Sequence, residues 1–193
     1  EIRGAGDLLG ENQSGKISEI GFNLYHDLLK RTIHAIKNNT KLDIREALTE
    51  EVEISPGIAC IIPDTYLPDV HERLIIYKRI ASADNEEELK ELKIEMIDRF
   101  GALPDSTSNL FESTSLKNYS NDIGILKINI YDEKAEITLK EKNNIDTSKI
   151  INLIQTNPQQ FRLKNQNTLV INESMEPNLS RISKISKLLS TLV

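Results

Sequence analysis

The run Gly10-Glu-Asn-Gln-Ser-Gly15-Lys16 has the spacing of a phosphate-cradling loop up to its lysine, so the first chemistry to consider is nucleotide binding. Two features argue against it. Ile17 stands where a Ser or Thr would ligate Mg²⁺, and no apolar strand precedes Gly10 to aim the loop. The earlier glycines, Gly4, Gly6 and Gly10, are spaced too loosely for a dinucleotide fingerprint. His26, His34 and His71 are scattered, and Cys60, inside Ile58-Ala-Cys-Ile-Ile62, reads as a small core residue. No nucleophile has a positioned base in this reading, and no ligand set marks a metal site.

The residues that do cluster are acidic. At 100° per residue, Glu87, Glu91, Glu95 and Asp98 fall within an arc of about 80° on one helix. The opposite face carries Leu89, Leu92, Met96 and Phe100. Like charges four apart repel by about 0.2–0.5 kcal/mol per pair, and only Arg99 on the same helix reaches Glu95. A stripe left uncompensated in this way suggests a basic partner; the plain alternative is a solvated face with Glu87 favourably placed near the positive helix start. Arg3 and Gln13 are long polar side chains in a glycine-bearing loop, where a backbone can approach a partner closely.

The elements that must position these residues follow from period and punctuation. Residues 1–18 read as a loop, and Ile20, Leu24, Leu28, Ile33 and Ile36 mark a helix that Asn38 and Asn39 end. Residues 38–50 are polar and read as a linker. Glu51–Ile62 suggests a strand interrupted at Pro56-Gly57. Asp69 caps a helix whose pattern is Val70, Leu74, Tyr77, Ile80 and Ala81, with Lys78 and Arg79 outside. Asn85–Phe100 is a second helix, and Leu103-Pro104-Asp105 opens a third that fades near Asn121. Ile125–Tyr131 and Ala135–Lys140 alternate around a short polar turn, as a hairpin does. Asp146 caps Thr147–Thr156, two short strands follow at Phe161–Leu163 and Thr168–Ile171, and Asn178–Leu192 closes the chain as a helix. This predicts an α+β fold, a small antiparallel sheet packed with several helices: residues 1–46 form a loop, helical arm and linker, and 47–193 the main domain.

Composition narrows the function classes. The 193 residues are 38% hydrophobic, enough for one core, and a single Cys rules out an internal disulfide scaffold. No run approaches the roughly 20 apolar residues that span a bilayer, and no signal-peptide order is visible, so the sequence reads as soluble and cytoplasmic with no membrane partner. The net charge of −6 divides into −1, −7 and +2 over residues 1–50, 51–110 and 111–193, which argues against a nucleic-acid footprint over the whole surface. The chain starts at Glu1 without an initiator Met and reads as a piece of something longer.

Several long motifs, in order, carry a resemblance. Glu1-Ile-Arg-Gly-Ala-Gly-Asp-Leu-Leu-Gly-Glu-Asn-Gln-Ser-Gly15 and Ile20-Gly-Phe-Asn-Leu-Tyr25 resemble the translocation motif of the bacterial transcription-repair coupling factors, part of which is shared with branch-migration helicases. Pro63-Asp-Thr-Tyr-Leu-Pro-Asp69, Arg73-Leu-Ile-Ile-Tyr-Lys-Arg-Ile-Ala-Ser82, Ile97-Asp-Arg-Phe-Gly101 and Leu103-Pro-Asp105 resemble that family's C-terminal domain. The matches extend over most of residues 1–105, and Asn12 departs from the acid often found beside the loop glutamine in the family. The resemblance implies a parent that is an ATP-driven motor on double-stranded DNA, removing stalled RNA polymerase and recruiting nucleotide-excision repair through UvrA. It implies that ATP and Mg²⁺ bind upstream, that this piece holds no cofactor and does not hydrolyse ATP alone, and that Arg3 and Gln13 work in the translocation motif. It further implies that the C-terminal domain packs on a UvrB-like N-terminal module and masks its UvrA-binding surface, with Glu95 and Asp98 matching the family's acidic contact residues. The other readings are a stand-alone nucleic-acid-binding or protein-interaction module, or a small enzyme.

Overall fold

Local chemistry sets the boundaries of the helices in this computed structural model, which describes residues 52–174 and 181–193. The Asp69 carboxylate accepts the Glu72 N–H at 2.8 Å and starts α1, Val70–Ser82. The Asn85 side chain accepts the Glu88 N–H at 2.9 Å and starts α2, Glu86–Phe100, which Gly101 ends with φ +87°. Pro104 precedes α3, Asp105–Asp122. Asp146 accepts the Ser148 N–H at 2.8 Å at the head of α4, Thr147–Thr156, and α5 is Arg181–Leu192.

The strands β1 (Glu53–Ser55), β2 (Ile125–Ile130), β3 (Lys134–Leu139), β4 (Phe161–Asn165) and β5 (Thr168–Asn172) form one sheet in the order β1-β2-β3-β5-β4. The two hairpins, β2–β3 and β4–β5, join through antiparallel β3–β5 pairing, with Ile137 opposite Leu169 and Ala135 opposite Ile171. Only β1 is parallel to its neighbour. The α+β class expected from the sequence is what the chain adopts, with a mostly antiparallel sheet.

Two hydrophobic clusters hold the described residues together. In the first, Ile128, Ile130, Ile137, Leu169 and Ile171 of the sheet pack with Leu116 of α3, Ile150 of α4, and Ile182, Ile185 and Leu189 of α5. In the second, Ile76 and Ile80 of α1, Leu89, Leu92 and Met96 of α2, and Phe111 of α3 pack with Ile62 and Leu67. Helix α3 serves both. Its first half buries Thr107 and Phe111 and its second half Leu116 and Ser120, so the buried face swings by about 140° between residues 111 and 116.

Three expectations change. The stretch 58–62 is not strand: Gly57 sits at φ +66° beneath the Ile130 carbonyl and turns the chain away from the sheet. Its polar groups go to α3, with Ile61 N–H donating to the Ser106 carbonyl at 3.2 Å and Thr107 Oγ1 donating to the Ile61 carbonyl at 3.1 Å. In α1 the buried pair is Ile76 and Ile80, whereas Val70 and Leu74 are 61% and 54% exposed, because α2 and α3 meet α1 on the side of residue 76. Cys60 is half-buried at the margin of the first cluster rather than inside it. The expected arm and linker of residues 1–46, and the first residues of the closing helix, lie outside the described residues.

Candidate functional site: the outer face of the α1–α2 hairpin

Three residues separate α1 from α2, which makes them an antiparallel hairpin. The ion pairs across it confirm the direction: Arg79 meets Glu95 while Arg99 meets Glu72. Arg79 Nη1 and Nη2 donate to Glu95 Oε1 and Oε2 at 2.8 and 2.6 Å, the paired fork geometry that a guanidinium and a carboxylate favour. Arg99 Nη1 donates to Glu95 Oε1 at 3.1 Å, and its Nη2 donates to Glu72. The hydrogen bond from Arg79, helped by that from Arg99, lowers the Glu95 carboxyl from 4.5 to about 2.

The stripe expected from the sequence therefore divides. Glu95, half-buried, belongs to the seam between the two helices and is compensated twice. This corrects the expectation of an uncompensated stripe; the missing cation is Arg79, sixteen residues upstream on another helix. Glu87, Glu91 and Asp98 are exposed and make no ion pair with another described residue. Ile94, 51% exposed, falls beside them on the helical wheel, seven residues after Glu87, three after Glu91 and four before Asp98. Arg99 was expected to reach Glu95 and does; Arg79 could not be found from one helix's period. Arg3 and Gln13 lie outside the described residues.

The sequence motifs have a structural task. Tyr66 O–H donates to the Gly101 carbonyl at 2.9 Å, with the Met96 carbonyl 3.2 Å away, and its ring meets Phe100 edge-on. Arg73 Nη1 donates to the Leu67 carbonyl at 2.5 Å, and the Tyr77 hydroxyl accepts the Ile62 N–H at 2.6 Å. These contacts tie the 63–69 loop to both helices and so set where the acidic face points.

His71 is exposed on α1, and burial, then the nearby Glu112 charge, pushes the Cys60 thiol up, away from thiolate chemistry. Among the described residues no three His, Cys, Asp or Glu side chains are grouped to hold a metal. An open groove of about 560 Å³ between α2, α3 and α5 has Leu89, Phe111 and Ile182 at its floor and Lys90, Lys93 and Lys187 among its walls. It is a meeting of the two clusters, and within it the Ser115 hydroxyl donates to the Glu86 carboxylate. No described helix is long and apolar enough to cross a membrane.

Comparison with known proteins decides the family. The TRCF domain family matches residues 57–150, which covers the α1–α2 hairpin, α3 and the β2–β3 hairpin. The chain is 37% identical over 192 residues to the transcription-repair-coupling factor of Escherichia coli (strain K12), and 38% identical over 192 residues to that of Haemophilus influenzae. The chain belongs to the transcription-repair-coupling factors. Both alignments cover 100% of this chain and 17% of the relative, so the chain spans about a sixth of those proteins' length. The Myxococcus xanthus factor is 35% identical over 164 residues, 84% of this chain and 13% of the relative. In fold, the chain is similar to a crystal structure of a C-terminal domain of transcription-repair coupling factor, with a TM-score of 0.58 at 22% identity, over 74% of this chain and 96% of that one.

Proposed function

We propose that the chain works as the regulatory C-terminal part of a longer, cytoplasmic, ATP-driven translocase on double-stranded DNA, which displaces stalled RNA polymerase and recruits UvrA for excision repair. In this reading ATP and Mg²⁺ belong to motor lobes elsewhere in the parent, and this part performs no hydrolysis. Arg3 and Gln13 serve the translocation motif. The acidic face of α2, Glu87, Glu91 and Asp98 with Glu95 in the seam behind them, packs on the UvrB-like N-terminal module and masks the surface that UvrA needs.

The observation that carries the reading is the exposed acidic row, which makes no ion pair with another described residue, on a hairpin whose orientation the motif residues fix. Exposed ion pairs contribute little, whereas carboxylates desolvated against arginines couple by about 1.5 kcal/mol or more, so such a face acts only when covered. The relatives' shared name, transcription-repair-coupling factor, supports the parent's role. A stand-alone DNA-binding module is disfavoured by the same row, which would repel phosphates.

The test is calorimetric titration of the 193-residue chain into the parent's N-terminal module. Saturable binding lost in Glu91→Arg/Asp98→Arg supports the clamp; no binding, in trans or when fused, refutes it. Glu95→Arg is the wrong control, since it would place a third cation between Arg79 and Arg99 and damage the hairpin itself.

A further inference from the structure

In angle around α2, the side of the acidic row that lies away from the seam with α1 carries Ile94, then Lys90, Ile97 and Lys93. The two lysines, with Lys187 of α5, wall the groove between α2, α3 and α5. None of the three makes an ion pair with another described residue. The acids in the same lining are engaged: Glu86 accepts a hydrogen bond from Ser115 Oγ, and Glu112 also interacts within the chain. Glu87, at the rim, belongs to the outer row. The floor of Leu89, Phe111 and Ile182 is at most 4% exposed, and Ile97, 42% exposed, continues apolar surface along α2 past Lys93. Short side chains hold the groove open, with Ser115 on α3 and Ser183 and Ser186 on α5. Along α2 its lining runs from Glu86 to Lys93, a rise of about 10 Å, which is the i to i+7 span of a docked helix.

We infer that this groove docks a short acidic helix of a partner protein. Its apolar side chains lie on the floor and against Ile97, and its Asp or Glu side chains meet Lys90, Lys93 and Lys187. Charge and shape together select this occupant. Duplex DNA offers phosphates to the lysines but no apolar side chain to the floor, and it brings its charge up against Glu87 and the row beyond it. A basic segment would oppose the three lysines, and a second copy of the same groove would set lysine against lysine. The lysines steer the encounter, and the apolar anchors hold it. The inference stands apart from the clamp, because it uses a different flank of α2 and the neighbouring helices α3 and α5.

The test is fluorescence anisotropy of the 193-residue chain with a labelled helical peptide of about 15 residues, Leu at i, i+4 and i+7 and Glu beside them. Saturable binding is expected. Lys90→Glu/Lys187→Glu should weaken it about tenfold or more, and so should Ser186→Phe, which fills the groove without changing its charge. Two control peptides, one with Lys for Glu and one with Ser for Leu, should each bind the unsubstituted chain about tenfold more weakly. These controls decide the matter even where a variant fails to fold. Glu91→Arg/Asp98→Arg should not weaken the peptide, which separates this result from that of the clamp. No saturation by the acidic peptide up to about 1 mM overturns the inference, as does equal binding of either control peptide. Undiminished binding by a folded Ser186→Phe chain places the peptide elsewhere and overturns it too. Displacement of the peptide by a duplex of about 20 base pairs shows that the lysines serve a polyanion, and the inference falls.

Discussion

Glu95 is the residue where sequence and structure give different answers about the same carboxylate. Held by Arg79 and Arg99, it titrates at about 2 instead of 4.5, so its pairing stabilises the fold above the ordinary carboxylate range and is lost as the pH falls from about 4.5 to about 2. The side chain is 34% exposed, so solvent screens the pair and the contribution stays below about 1 kcal/mol. Urea unfolding at pH 7 and pH 3 should show a smaller loss for Glu95→Gln than for the unsubstituted chain; identical losses would remove the pair from the stability account. Gly57 is the second residue with a sharp expectation. At φ +66° a Cβ would lie 2.3 Å from the Ile130 carbonyl oxygen, so Gly57→Ala must move backbone and should cost about 1–3 kcal/mol or more. A melting temperature unchanged by this substitution would contradict the close approach.

The helices are set by caps more than by their apolar stripes. Asp69 and Asn85 each satisfy an N–H that the first turn leaves open, and Asp69→Ala or Asn85→Ala should each cost about 1 kcal/mol in chemical denaturation. Losses near zero for both would mean that packing alone fixes these ends. α5 begins differently. Arg181, 5% exposed, donates from Nη2 to Asp132 Oδ1 at 2.6 Å and from Nη1 to the Gly57 carbonyl at 3.3 Å, joining helix, β2–β3 turn and the 56–57 bend. Its Nε has no partner among the described residues. The caps at Asp69 and Asp146 were legible because each stands beside a helical pattern, whereas Asn85, read as the first residue of its helix, turns out to be its cap. The Arg181 tie was not, because it links positions 49 and 124 residues apart.

Over the described residues α3 is the common member of both clusters, with Phe111 in one and Leu116 in the other. This predicts one unfolding transition for both clusters rather than two. Phe111→Ala should cost about 3–5 kcal/mol and Leu116→Ala about 2–5 kcal/mol, each lowering the midpoint seen by probes in the hairpin and in the sheet alike. Separate midpoints for the two probes would show that α3 does not couple them.

What the sequence by itself determined is whatever one element can encode. Period 3.6 gave α2 and, with a capping Asp, α4; alternation around Asp132-Glu133 gave the β2–β3 hairpin, and the ordered motifs gave the family. The same local rules placed Glu87, Glu91 and Asp98 on one face. What only the tertiary structure decided is whatever needs two elements at once. α3 has no single stripe in sequence because its buried side changes half-way. The apolar pattern of α1 misplaced Val70 and Leu74 because a helix does not know which neighbours will cover it. Glu95 became a brace rather than a free acid because hairpin closure brought Arg79 across to it, and no spacing along one helix records a charge that arrives from another.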